Sequence, residues 1–312
     1  MPEPLLVVEG LEVAFKRREV LKGLSFSVQP GEAFGLLGPN GSGKSTTFSV
    51  LTGLLQPRAG RLQFEGQPVQ PGAQVLRAKL GVVFQKPSLD PNLTGRENLL
   101  MACALYGLRG QGARDRVQAL VAEAELADRV DEPVKQLSGG MRRRLELARS
   151  RVHAPRLLLL DEPTTGLDEG AFQRTWRQLH HLRDRDGVSL LLSTHRPEEA
   201  ARCDRLALID DGRIVACDTP ANLQAAVSGD VITVFGPDPA HLAQVITERF
   251  SVETRPVEGG VRFRCDTGHT LIPRVVEAFP TGHLRAVHLK QPSLADVFLK
   301  LTGRSLEDEE GA

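Results

Sequence analysis

Gly38-Pro39-Asn40-Gly41-Ser42-Gly43-Lys44-Ser45-Thr46 has the spacing GxxxxGKS, and its flanks decide the fold. Ahead of it, Ala33 to Leu37 is a short apolar run, the pattern of a buried strand. After it, Thr46 to Leu55 carries apolar residues at helical spacing. Strand, glycine-rich loop and helix start, in that order, predict a phosphate-binding loop in an α/β core. Glycines let the main chain wrap an anion closely, and the helix N-terminus adds positive potential. Lys44 reaches the outer phosphates, and the Ser45 hydroxyl is suited to ligate magnesium.

Working outward, the 312 residues are enough for a sizeable core and suggest about two domains. Lys plus Arg equals Asp plus Glu, at 39 each, so the broad basic footprint of a nucleic-acid binder is missing. Cys103, Cys203, Cys217 and Cys265 lie far apart and form no CxxC, which points away from a disulfide framework or a zinc site and towards a reducing compartment. The start, Met1-Pro2-Glu3-Pro4, shows no basic region followed by a long apolar one, and no stretch is apolar for long enough to span a bilayer. These features predict a soluble cytoplasmic protein, with any membrane crossing done by another chain.

Upstream of the loop, Leu5 to Val13 and the alternating Ser25-Phe26-Ser27-Val28 predict antiparallel strands, joined later by Arg61 to Phe64. Phe15 falls between the first two and reads either as core or as a platform for a stacked adenine. Leu80 to Phe84 is a buried strand ending at Gln85. Thr94-Gly95-Arg96-Glu97 has capping-box spacing and opens a helix to about Tyr106, and Ala113 to Leu126 forms another. About 88–150 is therefore expected to be a helical subdomain. It closes with Leu137-Ser138-Gly139-Gly140-Met141, a turn before a helix from Arg142 to His153. Such a helix start suits an anion, but on its own the turn reads as an ordinary glycine-containing connection. Arg142, Arg143 and Arg144 read as a solvated face.

Leu157 to Leu160 leads into Asp161-Glu162, a fully buried strand with carboxylates at its carboxyl end, where ligands collect in open α/β sheets. The turn Thr165-Gly166-Leu167-Asp168, a helix to about Arg185, the strand Val188 to Leu192 and Ser193-Thr194-His195 follow, then a hairpin turning at Asp211-Gly212. A boundary is expected near Ser228-Gly229-Asp230, separating a domain of residues 1–228 from one of 229–303. The second domain reads in the order β-α-β-β-α-β, the ferredoxin-like α+β pattern, followed by a helix from Ser293 to Leu301. The acidic tail, 304–312, is expected to be disordered.

Together, the phosphate loop, Gln85, the LSGGM turn, the LLLLDE strand, the GLD turn and His195 resemble, in order and spacing, the ATP-binding subunits of ABC transporters. The resemblance covers about residues 5–225, and it departs from the usual pattern in Met141, where Gln is common, and in Phe15, where Tyr is common. Residues 291–303, QPSLADVFLKLTG, together with the LSGGM variant, look like the drug-resistance and sodium-efflux branch of exporter ATPases. The fold implied is a P-loop NTPase core with an antiparallel β subdomain and a helical subdomain. The function implied is ATP hydrolysis driving export of drugs, lipids, other hydrophobic compounds or ions; the rival within the fold is a non-transport ATPase acting on ribosomes or DNA.

By matching position, the resemblance gives each residue a role. Residues 38–46 and Lys44 bind the phosphates of ATP, Phe15 stacks on the adenine, and Ser45 holds Mg2+ with Asp161 in its outer shell and Gln85 sensing it. Glu162 polarises the attacking water and His195 contacts the γ-phosphate. Ser138, Gly139, Gly140 and Asp168 act across a subunit boundary, on ATP held by the other protomer. The expected assembly is therefore a head-to-tail homodimer on a separate membrane-spanning permease chain, peripheral to the inner face of the cell membrane, with no nucleic acid.

Overall fold

The computed structural model describes the chain apart from residues 1–2, 17, 87, 227–228, 266, 281, 291 and 307–312. It forms two compact units, divided between Thr219 and Pro220.

In chain order the first unit begins with β1 (Leu6–Phe15), β2 (Arg18–Val28), β3 (Ala33–Leu37), α1 (Lys44–Leu51), β4 (Ala59–Phe64), β5 (Gln67–Val69), α2 (Gln74–Arg77) and β6 (Leu80–Val83). The helical part follows as α3 (Gly95–Leu105), α4 (Gly110–Glu123) and α5 (Gly139–Ser150). The unit then runs through β7 (Leu157–Asp161), α6 (Glu169–Asp186), β8 (Ser189–Thr194), α7 (Pro197–Ala200), β9 (Arg205–Asp210) and β10 (Arg213–Asp218).

Two sheets result. The antiparallel one has the order β2-β1-β4-β5, as the alternating N-terminal strands predict. The larger one has the order β10-β9-β3-β8-β7-β6 and is parallel from β9 to β6. Its outer hairpin, β9–β10, turns at Asp211 and Gly212, both with positive φ, the conformation a two-residue hairpin needs.

The runs that read as continuously apolar are central strands buried on both faces. Along β7, Leu157 and Leu159 join the cluster shared with Phe34, Phe48 and the antiparallel sheet. Leu158 and Leu160 face the opposite side, where α6 lays Phe172, Trp176 and Leu179 against the sheet. All four leucines and Trp176 are fully buried. Burying each such leucine contributes roughly 1.5–3 kcal/mol, which fixes the carboxyl end of β7 and the residues after it. The helices α3, α4 and α5 have a core of their own, built on Leu99, Val117, Leu120 and Leu145. Thr94 caps α3 in the expected capping box with Glu97.

One expectation is overturned. Arg143 is buried, because its guanidinium turns inward to backbone carbonyls, and the Arg144 side chain is only 16 % exposed, bonded to Ala124 O and Glu125. The arginine run is therefore not a solvated face.

The second unit comprises α8 (Pro220–Ala225), β11 (Asp230–Phe235), α9 (Pro239–Phe250), β12 (Thr254–Val257), β13 (Gly260–Cys265), α10 (Gly268–Glu277), β14 (Ala286–Lys290) and α11 (Leu294–Thr302). Its antiparallel sheet has the order β12-β13-β11-β14, with α9 and α10 packed through Leu242, Ile246 and Val275. From β11 to β14 the order of elements is β-α-β-β-α-β. The division falls before the expected boundary because α8 packs on α11. Ser228, the first residue of that boundary, lies outside the described residues, as does the acidic stretch 307–310.

Candidate functional site

The loop between β3 and α1 is shaped by what a side chain would strike. A Cβ on Gly38 would lie 2.1 Å from Ile209 O, so only glycine lets β3 run this close to β9. Gly43 is the N-cap of α1 at φ 109°, in the left-handed region, and a Cβ there would lie 2.5 Å from Leu21 Cδ2. The helix starts at Lys44, before the apolar periodicity begins, so its first turn of backbone N–H groups belongs to the loop.

Lys44 is 5 % exposed and donates to Gly38 O and Pro39 O, both at 2.7 Å. Burial pulls its ammonium down to about 8, against the opposing pull of Glu162 and then Asp161. The cation therefore sits in a poorly solvated place, facing carboxylates, where a polyphosphate would strengthen its charge. A cleft of about 520 Å3 opens here, lined by Phe15, Arg18, Val20, Asn40, Gly41, Gly43, Lys44, Ser45, Thr46, Gln85 and Glu162. Phe15 is 49 % exposed, which decides between its two readings: it is a wall of the cleft and not core.

Parallel pairing brings the remaining groups in. Asp161 stands opposite Ser193 in the β7–β8 register, and β6 delivers Gln85 beside them. Ser45 Oγ donates to Asp161 Oδ1 at 3.3 Å, and Ser193 Oγ donates to the same oxygen. Glu162 holds φ 46°, a left-handed conformation uncommon for a non-glycine residue and often found at functional sites. Its backbone N–H is tied to Ser193 O at 3.1 Å and Ser193 Oγ at 3.3 Å. Both carboxylate oxygens are held: Oε1 accepts from His195 Nδ1 at 3.0 Å, and Oε2 from Gln85 Nε2 at 2.8 Å and Thr165 Oγ1 at 3.1 Å.

Gln85 and Glu162 thus line one cleft with residues of the loop, and Asp161 and His195 join them through their bonds to Ser45 and Glu162. Ser193 and Thr165 belong to this cluster and were not singled out from sequence. The signal for Ser193 is its register partner: a hydroxyl residue ending a strand beside one that ends in Asp. Ser45 and Asp161 form a hard-oxygen pair suited to Mg2+. Among the described residues no group of three or more His, Cys, Asp and Glu could hold a metal.

The other predicted residues are elsewhere. Ser138 and Gly139 are exposed at the start of α5, where Ser138 Oγ accepts from Met141 N at 3.3 Å. Asp168 is exposed and caps α6 through Ala171 N at 2.7 Å. None of Ser138, Gly139, Gly140 and Asp168 lines the cleft.

A family model described as "ABC transporter" matches residues 21–165. The Nod factor export ATP-binding protein I of Paraburkholderia xenovorans is 42 % identical over 99 % of this chain and all of its own length. The protein of the same name from a Rhizobium species is 40 % identical over 98 % of the chain and all of its own length. Among solved structures, cbiO1 from Clostridium perfringens, part of the ABC transporter complex cbiONQ, matches with TM-score 0.67 and 26 % identity, over 80 % of this chain and 97 % of its own. A dimeric ATP-binding cassette in a post-hydrolysis state with ADP and Pi matches with TM-score 0.62 and 26 % identity, over 69 % and 98 %.

Proposed function

The chain belongs to the ATP-binding subunits of ABC transporters, and on that premise we propose how its residues share the work of hydrolysis and whom it works with. It is an ATPase whose activity powers an export system. Lys44 and the loop amides hold the β- and γ-phosphates and Phe15 stacks on the adenine; Ser45, with Asp161 behind it, would hold Mg2+, which when bound would supply charge screening at the phosphates. Glu162 orients the attacking water and accepts its proton, with Gln85 and His195 fixing the carboxylate.

Hydrolysis needs a second copy of the chain. The supporting observation is the separation of the predicted groups: the loop, Gln85 and Glu162 line one cleft, with His195 bonded to Glu162, whereas Ser138 and Gly139 are presented to solvent outside it. Two copies closing head to tail supply each cleft with the partner's signature turn, which adds backbone N–H donors at the γ-phosphate.

Among the described residues no helix is long and apolar enough to cross a membrane. The membrane-spanning part is assigned to a separate permease chain, with this subunit peripheral at the inner face. The docking surface follows Gln85 in sequence, from 88 to 105, where α3 leaves Met101 and Leu105 to solvent and Tyr106 half-exposed just beyond its end. The cargo belongs with drugs, lipids, other hydrophobic compounds or ions, and Nod factor, the cargo in the relatives' name, is the first compound to test.

Glu162→Gln tests this reading. The variant is expected to bind ATP, to stall hydrolysis and to accumulate as an ATP-dependent dimer on size-exclusion chromatography. Near wild-type phosphate release from it would remove Glu162 from catalysis, and a variant that stays monomeric with ATP would remove the shared site.

A further inference from the structure

Arg143, one turn into α5, uses its whole guanidinium inside the protein. Nε donates to Pro163 O at 2.7 Å. Nη1 donates to Phe84 O and Glu146 Oε2, each at 3.0 Å. Nη2 donates to Glu162 O at 3.3 Å and Asp161 O at 3.4 Å. A guanidinium has five N–H donors, and each of these bonds accounts for one. Glu146, 4 % exposed, neutralises the cation and with its other oxygen accepts from Ser88 N at 2.9 Å.

Three segments therefore meet on one ion pair: the helix that begins at the signature turn, both flanks of Gln85 at Phe84 and Ser88, and the main chain of 161–163. None of these bonds touches the phosphate loop. Stability is a weak reason for the arrangement, because a buried ion pair is often replaced by apolar residues of similar volume at no cost or with a gain. A planar fork bridging four carbonyls does what no apolar pair can do, which is to fix the relative positions of those segments.

We propose that the Arg143–Glu146 pair is a positioning device for hydrolysis, locking the signature helix, the Gln85 segment and the Glu162 turn into one body. When the signature turn meets nucleotide on the partner subunit, Gln85 and Glu162 are set in the same movement. Arg143 does not line the cleft and has all five N–H donors engaged within the protein, so it acts only through Gln85 and Glu162. The inference rests on the assignment of those residues to hydrolysis.

The test uses the purified full chain with MgATP and compares Arg143→Met, the double variant Arg143→Met/Glu146→Met, and Arg143→Lys, with Glu162→Gln in parallel. Arg143→Met leaves a buried carboxylate unpaired and is expected to lower both Tm and kcat. In the double variant Tm is expected to recover in part, the carbonyls and Ser88 N losing their partners but no charge being left buried, while kcat stays lower by about tenfold or more, with the dissociation constant of a fluorescent ATP analogue within about twofold. Arg143→Lys, which keeps the charge and loses the fork, is expected to restore Tm more than kcat. Wild-type kcat in the double variant overturns the proposal, as does a loss of nucleotide affinity equal to the loss of turnover. If the double variant does not fold, Glu146→Gln, isosteric and able to keep the bond to Ser88 N, decides: an unchanged kcat overturns the proposal and a several-fold fall at constant affinity supports it. A Glu162→Gln variant with normal turnover would instead sink the underlying assignment.

Discussion

Two glycine-rich turns in this chain open helices with their backbone amides forward, and they are finished to different degrees. The turn before α1 is packed against β2 and β9, buries its lysine and faces groups delivered by β6, β7 and β8. The turn before α5 is exposed, carries no cation of its own at Ser138-Gly139-Gly140, and its nearest neighbour is the start of α6, where Ala171 Cβ lies 3.4 Å from a Cβ built on Gly140. On the proposed function, the same local device is a complete binding site in one place and half a site in the other. What separates them is the sheet: parallel strand ends converge on the first turn and not on the second.

The comparison is sharpened most by damaging each turn alone. Lys44→Ala is expected to cut turnover by roughly 10²-fold or more through lost phosphate contact, with weaker ATP binding. Ser138→Arg is expected to cut turnover as far while leaving ATP affinity within about twofold, since the cleft of its own chain is intact. Phosphate release and nucleotide titration on the two variants separate these failures, and a large affinity loss in Ser138→Arg would mean that its turn serves its own cleft.

A smaller but more specific signal comes from combining them. In an isolated mixed dimer of Lys44→Ala with Ser138→Arg, one site receives both lesions and the other neither, so about half of wild-type turnover per dimer is expected for a two-fold assembly with independent sites. An unfractionated equal mixture is expected to have about a quarter of its sites competent. A mixed dimer that binds ATP yet is as silent as its parents would show that the sites do not act independently.

Phe15→Ala is expected to weaken ATP binding by about fivefold to tenfold, as loss of one base–aromatic stack does, and Phe15→Tyr to leave it unchanged. GTP and ATP titrations check this, and an affinity unaltered in Phe15→Ala would take the aromatic out of the site.

The smallest effect is a proton. Without nucleotide, Lys44 titrates at about 8 instead of 10.5. Bound polyphosphate favours the ammonium, so ATP binding is expected to take up protons above pH 8, and affinity to fall as pH rises from there. The linkage to folding has the opposite sense: between pH 8 and 10.5 the unfolded chain binds the proton that the folded chain has shed, so stability without nucleotide rises with pH across that window. Calorimetry in buffers of different ionisation heat measures the uptake. No uptake at pH 9 would mean that the lysine keeps its charge throughout.

Much of this was legible in the sequence because it is local or periodic. The loop is defined by its own spacing, and β3, β7 and the Leu190-Leu191-Leu192 centre of β8 announce themselves as apolar runs. The carboxyl-end position of Asp161-Glu162 followed from strand direction. The burial of Arg143 is not legible because a run of arginines looks solvated, whereas its four carbonyl partners lie 18 to 59 residues away and only the tertiary fold supplies them. The helices α1 and α5 start earlier than their apolar pattern, since the first turn of α1 is Lys44-Ser45-Thr46-Thr47 and that of α5 opens with Gly139-Gly140, neither of which carries an apolar stripe. The four-residue helices α2 and α7 are too short to show any period.

The chain carries a single tryptophan and a single tyrosine, and the fold puts them to different uses. Trp176 is sealed beneath α6, two turns from Asp168, with Arg202 over its ring, while Tyr106 is half-exposed just past the end of α3, stacked on His153 at 3.7 Å. Intrinsic emission is therefore already site-labelled. The indole is a blue-shifted reporter that reddens only when the packing of α6 fails, and the phenol is an ultraviolet reporter of whatever covers α3. Unfolding, and the covering of α3 by the permease proposed above, can be followed on the unmodified protein as separate spectral channels.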